Sequence, residues 1–263
     1  MFRLLKIELI KLLNNRTVLI IFGLHFLLLA PIAFGFKQIL QSININIGGV
    51  DVAQAALDGF SVFNYPDIWQ NIAYLAGWFK LFFAIIVVVL VTNEYTYRTI
   101  KQNIIDGMSK LEILASKQLV ITLLSLVATL LIALLIFILG KNPNEVSIFN
   151  GSTYLLKYFF SLIVYLNFAY LLSSWLKKAG LTIGLLFLYT LVIENLLAFK
   201  LPEQVAGFLP MNLISNLIPN PMVAYFKPDE IAAVTEASLL AAGLYWVVFV
   251  SLIYWMLKRS RLG

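Results

Sequence analysis

The chain has 263 residues, of which 61% are hydrophobic and 12% are charged, and its mean hydropathy is +0.91. A soluble domain carries about 25% charged residues, so this composition nearly excludes a water-soluble enzyme. The lack of cysteine excludes disulfides and thiolate metal sites, and one histidine, His25, cannot form a multi-histidine metal centre. The net charge of +6 comes from basic residues scattered between long apolar runs, which is typical of membrane orientation rather than nucleic-acid binding.

Six apolar runs are long enough to cross a bilayer as helices, which takes about 20 residues each. They cover residues 17–36, 72–93, 115–139, 153–176, 179–199 and 237–257. None alternates like a lipid-facing barrel strand, so the predicted fold is an all-α polytopic membrane protein with one transmembrane domain over 1–263. The third span begins with a capping box, Ser109 to Glu112, and its helix is expected to continue to Gly140.

The distribution of basic residues predicts the orientation. Placing the N-terminus in the cytoplasm leaves thirteen lysines and arginines inside and five outside, as the positive-inside rule requires. The thirteen are Arg3, Lys6, Lys11, Arg16, Arg98, Lys101, Lys110, Lys117, Lys177, Lys178, Lys258, Arg259 and Arg261. The prediction is a multi-pass protein of the bacterial cytoplasmic (inner) membrane with both termini in the cytoplasm.

The first residues, 1–16, pattern as an amphipathic helix. Phe2, Leu5, Leu9, Leu12 and Leu13 fall on one face, and the opposite face carries Arg3, Lys6 and Lys11. Such a helix is expected in the cytoplasmic interface, with its cations toward lipid phosphates. Two alternatives are a cationic extension of the first span and a cleavable signal peptide.

The two long external segments differ in pattern. Residues 200–236 contain five prolines that separate apolar pieces too short to cross a bilayer, which favours a re-entrant helical hairpin over an ordinary external loop. Residues 37–71 contain short amphipathic pieces between glycines and are expected to form a small cap over the first two spans.

The substantial cytoplasmic loop is 94–110. Its helix-forming stretch stops at Asp106-Gly107, and the chain restarts at the Ser109 cap. This predicts a short helix against the membrane that presents polar groups to the cytoplasm. The alternative is a solvated connector with no partner.

Catalytic motifs are missing from the sequence. The Gly-Lys pair at Gly140-Lys141 lacks the preceding glycine and following hydroxyl residue of a phosphate-binding loop. There is no His-Glu-x-x-His and no Gly-x-Ser-x-Gly. We therefore expect no catalytic residues, no metal site and no cofactor in this chain.

Two ionisable residues lie within predicted spans. Lys80 and Glu194 would each cost about 3 kcal/mol at a helix centre, so each must pair, snorkel or face a polar cavity. Both are expected in the outer half of the membrane. They predict either an ion pair or a polar substrate path with Tyr189 and Asn195; separate snorkelling is the alternative.

The order of these parts resembles the membrane-spanning permease subunits of type 2 ABC transporters, which share the exporter fold of the ABCG proteins. Residues 94–100 are similar to the family's Glu-Tyr-x-x-Gly-Thr, and 109–114 with Lys117 are similar to its Ser-Arg-x-Glu-Ile-Leu restart and following lysine. Arg98 stands where many members have glycine, which predicts a more regular coupling helix here.

The resemblance implies a permease without its own ATPase site. Two copies of a separate ABC ATPase subunit, carrying ATP and Mg, would dock on the coupling helix, and a second permease copy, identical or related, would complete the unit in the lipid bilayer. Its implied docking residues are Glu94, Arg98, Lys101, Gln102 and Asp106, and its substrate path contains Lys80, Tyr189, Glu194 and Asn195. The expected cargo is amphipathic or hydrophobic, such as a peptide antibiotic or a lipid, and no nucleic acid is involved.

The main rival is a stand-alone secondary transporter that couples ions or protons through Lys80 and Glu194. Such a carrier is expected to have interrupted helices in both halves. An intramembrane enzyme and a non-transporting scaffold or immunity protein are further alternatives.

Overall fold

A computed structural model describes residues 2–42, 46–47, 50–51, 63–143, 145–221 and 236–259, and this part of the chain is almost entirely helical, as predicted. The helices are α1 (Phe2–Asn14), α2 (Arg16–Ser42), α3 (Ile68–Trp78), α4 (Lys80–Thr96), α5 (Thr99–Ile105), α6 (Lys110–Leu139), α7 (Thr153–Leu176), α8 (Ala179–Leu188), α9 (Glu194–Lys200), α10 (Glu203–Ala206), α11 (Pro210–Asn216) and α12 (Glu236–Arg259). A π-helical turn, Tyr189–Ile193, joins α8 to α9. Strands β1 (Asn46–Ile47) and β2 (Val50–Asp51) form a short antiparallel pair.

Four helical segments in the described residues are long and apolar enough to cross a membrane. They are Lys110–Leu139, Thr153–Leu176, Ala179–Lys200 and Ala237–Arg259, and they coincide with the third to sixth predicted spans. Two bent helix pairs would raise the number to six if each pair were one span. These helices are compatible with a multi-pass membrane protein.

The second predicted span, 72–93, is not one continuous helix. Helices α3 and α4 meet at an angle of 43° around Phe79. The Phe79 N–H bonds to the carbonyl of Ala76, three residues back, so the α-helical ladder is interrupted there. Gly77 weakens the helix at this point, a feature that a hydropathy pattern does not register. The bend makes Lys80 the first residue of α4.

The N-terminal segment forms a helix of its own, as the amphipathic pattern predicts. Helix α1 is bent by 74° from α2 at Asn15. The Asn15 side chain accepts a hydrogen bond from the Thr17 N–H at 3.1 Å and so satisfies an orphan donor at the start of α2.

The capping box at Ser109 is confirmed. The Ser109 hydroxyl accepts from the Glu112 N–H at 3.2 Å, and the Glu112 carboxylate accepts from the Ser109 N–H at 2.8 Å. Helix α6 then continues to Leu139 and ends at Gly140.

Helix α7 lies at the centre of the core. It packs against α4, α6 and α12, and its Tyr158, Leu162 and Tyr165 are fully buried. His25 is also buried, with its ring 4.5 Å from that of Phe83.

The segment that follows α9 folds back onto the helices. Helix α11 packs against α7 and α12 and buries Met211, Leu213 and Ile214. The Gln70 side chain donates to the Pro219 carbonyl at 2.9 Å. Residues 222–235, and residues 43–45, 48–49 and 52–62 of the cap expected at 37–71, lie outside the described residues.

Contacts between distant segments define two ends of the molecule. At the α5 end, Lys110 Nζ donates to the carbonyl of Lys258 at 3.0 Å, and Lys177 Nζ lies 5.4 Å from the centre of the Tyr95 ring. At the opposite end, the Trp69 indole donates to the Ile148 carbonyl at 2.8 Å. Basic residues that the sequence places in the cytoplasm therefore meet at the α5 end.

Candidate functional sites

Four ionisable side chains from three helices form a closed ring, which we call the ion cluster: Glu8, Lys11, Glu94 and Lys117. Glu8 contacts Lys11 at 2.9 Å and Lys117 at 2.8 Å, and Glu94 contacts both lysines at 2.6 Å. Glu8, Glu94 and Lys117 are buried, and Lys11 is half-buried. The cluster joins α1 to the end of α4 and the start of α6.

Charge balance explains how the cluster tolerates burial. Two carboxylates face two ammonium groups, so each charge has two partners of opposite sign that offset its desolvation. Burial alone would raise the pKa of Glu8, but the ammonium groups of Lys117 and Lys11 outweigh burial and lower it. Lys11 therefore faces carboxylates here, and not the lipid phosphates that the amphipathic pattern suggested.

Helix α5 follows the cluster after a sharp turn. Helix α4 ends at Thr96, and Arg98 has φ = 55°, in the left-handed region that favours glycine. The expectation of a more regular helix at Arg98 is therefore wrong, because the turn requires this backbone conformation whichever residue occupies it.

The end of α5 follows the glycine rule. Gly107 has φ = 93°, and its N–H bonds to the Ile104 carbonyl while the Met108 N–H bonds to the Asn103 carbonyl. These two bonds are those of a Schellman motif, which ends a helix and redirects the chain.

The exposed face of α5 combines polar and apolar groups. We call it the α5 surface, and its members are Tyr97, Arg98, Lys101, Gln102, Ile105 and Asp106. Tyr97 is 74% exposed and Ile105 is 67% exposed. Gln102 donates to Asp106 at 3.0 Å, whereas the side chains of Arg98 and Lys101 make no hydrogen bond or ion pair with the described residues. Glu94 is buried in the ion cluster and does not belong to this surface.

A second site is a cavity of about 220 Å³ between the α3–α4 junction, α7, the π-helical turn and α11. Lys80 and Asn195, both predicted for a substrate path, line it together with Tyr165, Thr190 and Ser215. Tyr189 does not line it and instead packs against Phe168, with ring centres 5.1 Å apart.

Lys80 has weak partners in this cavity. Its Nζ lies 3.4 Å from the Ser215 hydroxyl and 5.1 Å from the centre of the Tyr165 ring. No described carboxylate lies within the 4.0 Å of an ion pair. The ion pair with Glu194 that the sequence suggested is thus not formed, and the two charges interact only at longer range.

Glu194 has a different partner. It is 1% exposed, and its Oε1 accepts a hydrogen bond of 2.6 Å from the backbone N–H of Asn212. Asn212 is the third residue of α11, where N–H groups have no partner within the helix. The carboxylate therefore caps α11, and the helix dipole favours its negative charge.

A comparison with protein-family models matches residues 56–261 to the DUF2705 model. The chain belongs to the DUF2705 family. The model's description is "protein of unknown function". A search of curated proteins finds no match.

The DUF2705 match includes the α5 surface and the cavity. Of the ion cluster it includes Glu94 and Lys117 but not Glu8 and Lys11, which lie before residue 56. Sequence reasoning did not identify Glu8, although its spacing of three from Lys11 on a helix is a recognisable signal. It also missed Ser215 and Thr190, which come together at the cavity only in the folded chain, where α11 packs against α7.

Proposed function

We propose that this DUF2705 protein is the membrane-spanning permease subunit of an ATP-driven exporter, and that a separate ATPase subunit docks on the α5 surface. The permease would supply the route for an amphipathic or hydrophobic cargo, such as a peptide antibiotic or a lipid. ATP and Mg would bind to the partner, because this sequence has no phosphate-binding loop.

The observation that carries the proposal is the α5 surface itself. An exposed tyrosine and isoleucine among polar side chains are typical of a protein interface, in which aromatic anchors supply much of the binding energy. Arg98 and Lys101 add positive charge without a partner among the described residues. These two cations favour a partner with acidic groups in its docking groove.

The ion cluster connects the α5 surface to the two long helices that flank it, α4 and α6. Helix α5 is separated from α4 and from α6 by a few residues at each end, and the cluster fastens α4 and α6 to each other and to α1. A displacement of α5 by a docked ATPase would thus reach both long helices. Helix α4 leads directly to the bend at Phe79 and to Lys80 in the cavity.

The outer face of α8 suits a second permease copy. Gly180 and Gly184 lie one helical turn apart, and outside the helix's own backbone no atom of the described residues lies within 4 Å of where their Cβ atoms would be. Leu181 and Leu188 are exposed on the same helix. Small residues that let two helices approach closely are typical of helix association in membranes.

One observation favours the rival carrier. The break at Phe79 and the π-helical turn interrupt a helix in each half of the chain, as transporters with inverted repeats require. However, Glu194 Oε1 accepts a hydrogen bond at the N-terminus of α11, which gives this buried carboxylate a structural role that needs no proton coupling. We therefore prefer the permease.

The experiment is a gentle purification of the tagged chain, followed by identification of bound proteins and an ATPase assay. We expect a stoichiometric protein with a phosphate-binding loop, lost on Lys101→Glu and retained on Lys178→Glu. Lys178 is a matched control because it is exposed in the turn before α8, on the same predicted side of the membrane but off the α5 surface. Retention of the ATPase by Lys101→Glu together with Arg98→Glu would exclude docking at this surface.

A further inference from the structure

We propose that the cavity beside Lys80 binds the oxyanionic head group, a phosphate or carboxylate, of an amphipathic molecule. The idea that the bound molecule is cargo rests on the proposed function. Binding itself requires only this chain.

The Lys80 ammonium has fewer hydrogen-bond partners among the described residues than it has donors. An ammonium group has three donors, and here its hydrogen-bond partner is one hydroxyl, Ser215, at the long distance of 3.4 Å. The ring of Tyr165 covers one side of it. Charged groups at membrane depth need a counter-charge or water, and the nearby Glu194 directs Oε1 to the backbone of α11 instead. An oxyanion from outside the protein would supply the missing partner.

Polar side chains line the cavity around Lys80. Ser215 and Thr190 line the same cavity, so an oxyanion held by Lys80 could also accept hydrogen bonds from their hydroxyls. Thr190 lies 3.4 Å from the Tyr165 hydroxyl, which leaves either group able to donate toward the cavity. Such convergent donors around one cation are typical of oxyanion recognition.

The size and the mouth of the cavity fit the head group of an amphiphile. A volume of about 220 Å³ accommodates a head group with a few waters of about 30 Å³ each, but no long polymer segment. Two of the lining residues, Trp78 and Leu191, are 69% and 54% exposed. The polar cavity therefore opens onto an apolar surface, where the apolar tail of an amphiphile would lie.

The test uses the whole purified chain in the neutral detergent dodecyl maltoside, titrated with dodecyl phosphate and followed by native mass spectrometry. We expect saturable binding that Lys80→Gln weakens roughly ten- to hundredfold, the effect of losing a charged hydrogen-bond donor. Lys80→Arg is expected to restore most of the affinity. Lys157→Gln is the matched control: Lys157 also stacks on a tyrosine ring, at 4.6 Å from Tyr154, but lines no part of the cavity.

Equal affinity of Lys80→Gln and Lys157→Gln would overturn the proposal, and so would equal competition by dodecanol, which has the tail without the charge. Competition by inorganic phosphate at the same concentration would support the oxyanion site but assign it to a free anion. If Lys80→Gln does not fold, Ser215→Ala tests the same contact, and unchanged binding would again overturn the site. No ATPase takes part, so a failure here is separable from a failure of docking at the α5 surface.

Discussion

Arg98 is unusual both in its residue type and in its backbone conformation. Many of the type 2 ABC permease subunits that the sequence resembles have glycine at this position. The structure has a positive φ there, which costs a residue with a Cβ about 1–2 kcal/mol. The family resemblance identified Arg98 as unusual but predicted a more regular helix at this position. That prediction is wrong because the turn between α4 and α5, and not the helix preference of arginine, sets the backbone conformation of residue 98. Its side chain is nevertheless exposed on the predicted docking surface.

Substitution of Arg98 separates the backbone from the charge. Arg98→Gly removes the strain of the positive φ but increases the conformational entropy of the unfolded chain. Its free energy of unfolding should therefore equal that of the parent or exceed it by up to about 1 kcal/mol. Arg98→Ala keeps the strained backbone and should be less stable than Arg98→Gly. Thermal unfolding in detergent measures both. If glycine proved less stable than alanine, the left-handed conformation of residue 98 would be refuted.

At the scale of the helices, the ion cluster is the feature that the sequence could not supply. Lys117 was recognised through the family pattern, but its partners Glu94 and Glu8 lie 23 and 109 residues away along the chain. Local periodicity predicts which face of α1 is polar, and it does not reveal that this face meets α4 and α6. The contact depends on the 74° bend at Asn15, which directs α1 across the bundle.

Loss of one member of the cluster is predicted to cost more than loss of a balanced pair. Lys117→Met leaves an excess negative charge in a buried site and should destabilise the fold by about 3–5 kcal/mol. Adding Glu8→Gln restores neutrality and retains the Lys11–Glu94 pair, so the double variant should be less destabilised than the sum of the two single variants, with a coupling of about 0.5–3 kcal/mol.

The control for this cycle is Lys178→Met, an exposed lysine outside the cluster, which should have little effect. Acid should weaken the parent as Glu8→Gln does, because protonation of Glu8 leaves the two ammonium groups with one carboxylate. The pKa of Glu8 is lowered in the folded chain, so its contribution is complete above the ordinary glutamate range and is lost as the pH falls through the lowered value. Strict additivity of Glu8→Gln and Lys117→Met would mean that the two side chains do not interact.

For the whole molecule, hydropathy predicted the third to sixth long helices almost to the residue, because segment length and apolar content decide them. It could not predict the bend at Phe79 or the π-helical turn, since both preserve the apolar composition of a span. It identified Lys80 and Glu194 as unusual and left open whether they pair, line a polar path or snorkel separately. It could not show that Glu194 accepts a hydrogen bond from a backbone amide of α11, a helix outside the spans. The α5 end of the bundle combines an exposed surface with a concentration of basic residues.

The most direct test of this account is photo-cross-linking in native membranes, with a photo-reactive amino acid in place of Lys101 on α5 and, separately, in place of Lys157 at the start of α7, at the opposite end. The account predicts that position 101 cross-links to an ATPase with a phosphate-binding loop and that position 157 does not. If neither position cross-links to an ATPase although the chain is folded and inserted in the membrane, docking on α5 is contradicted and the protein acts without that partner.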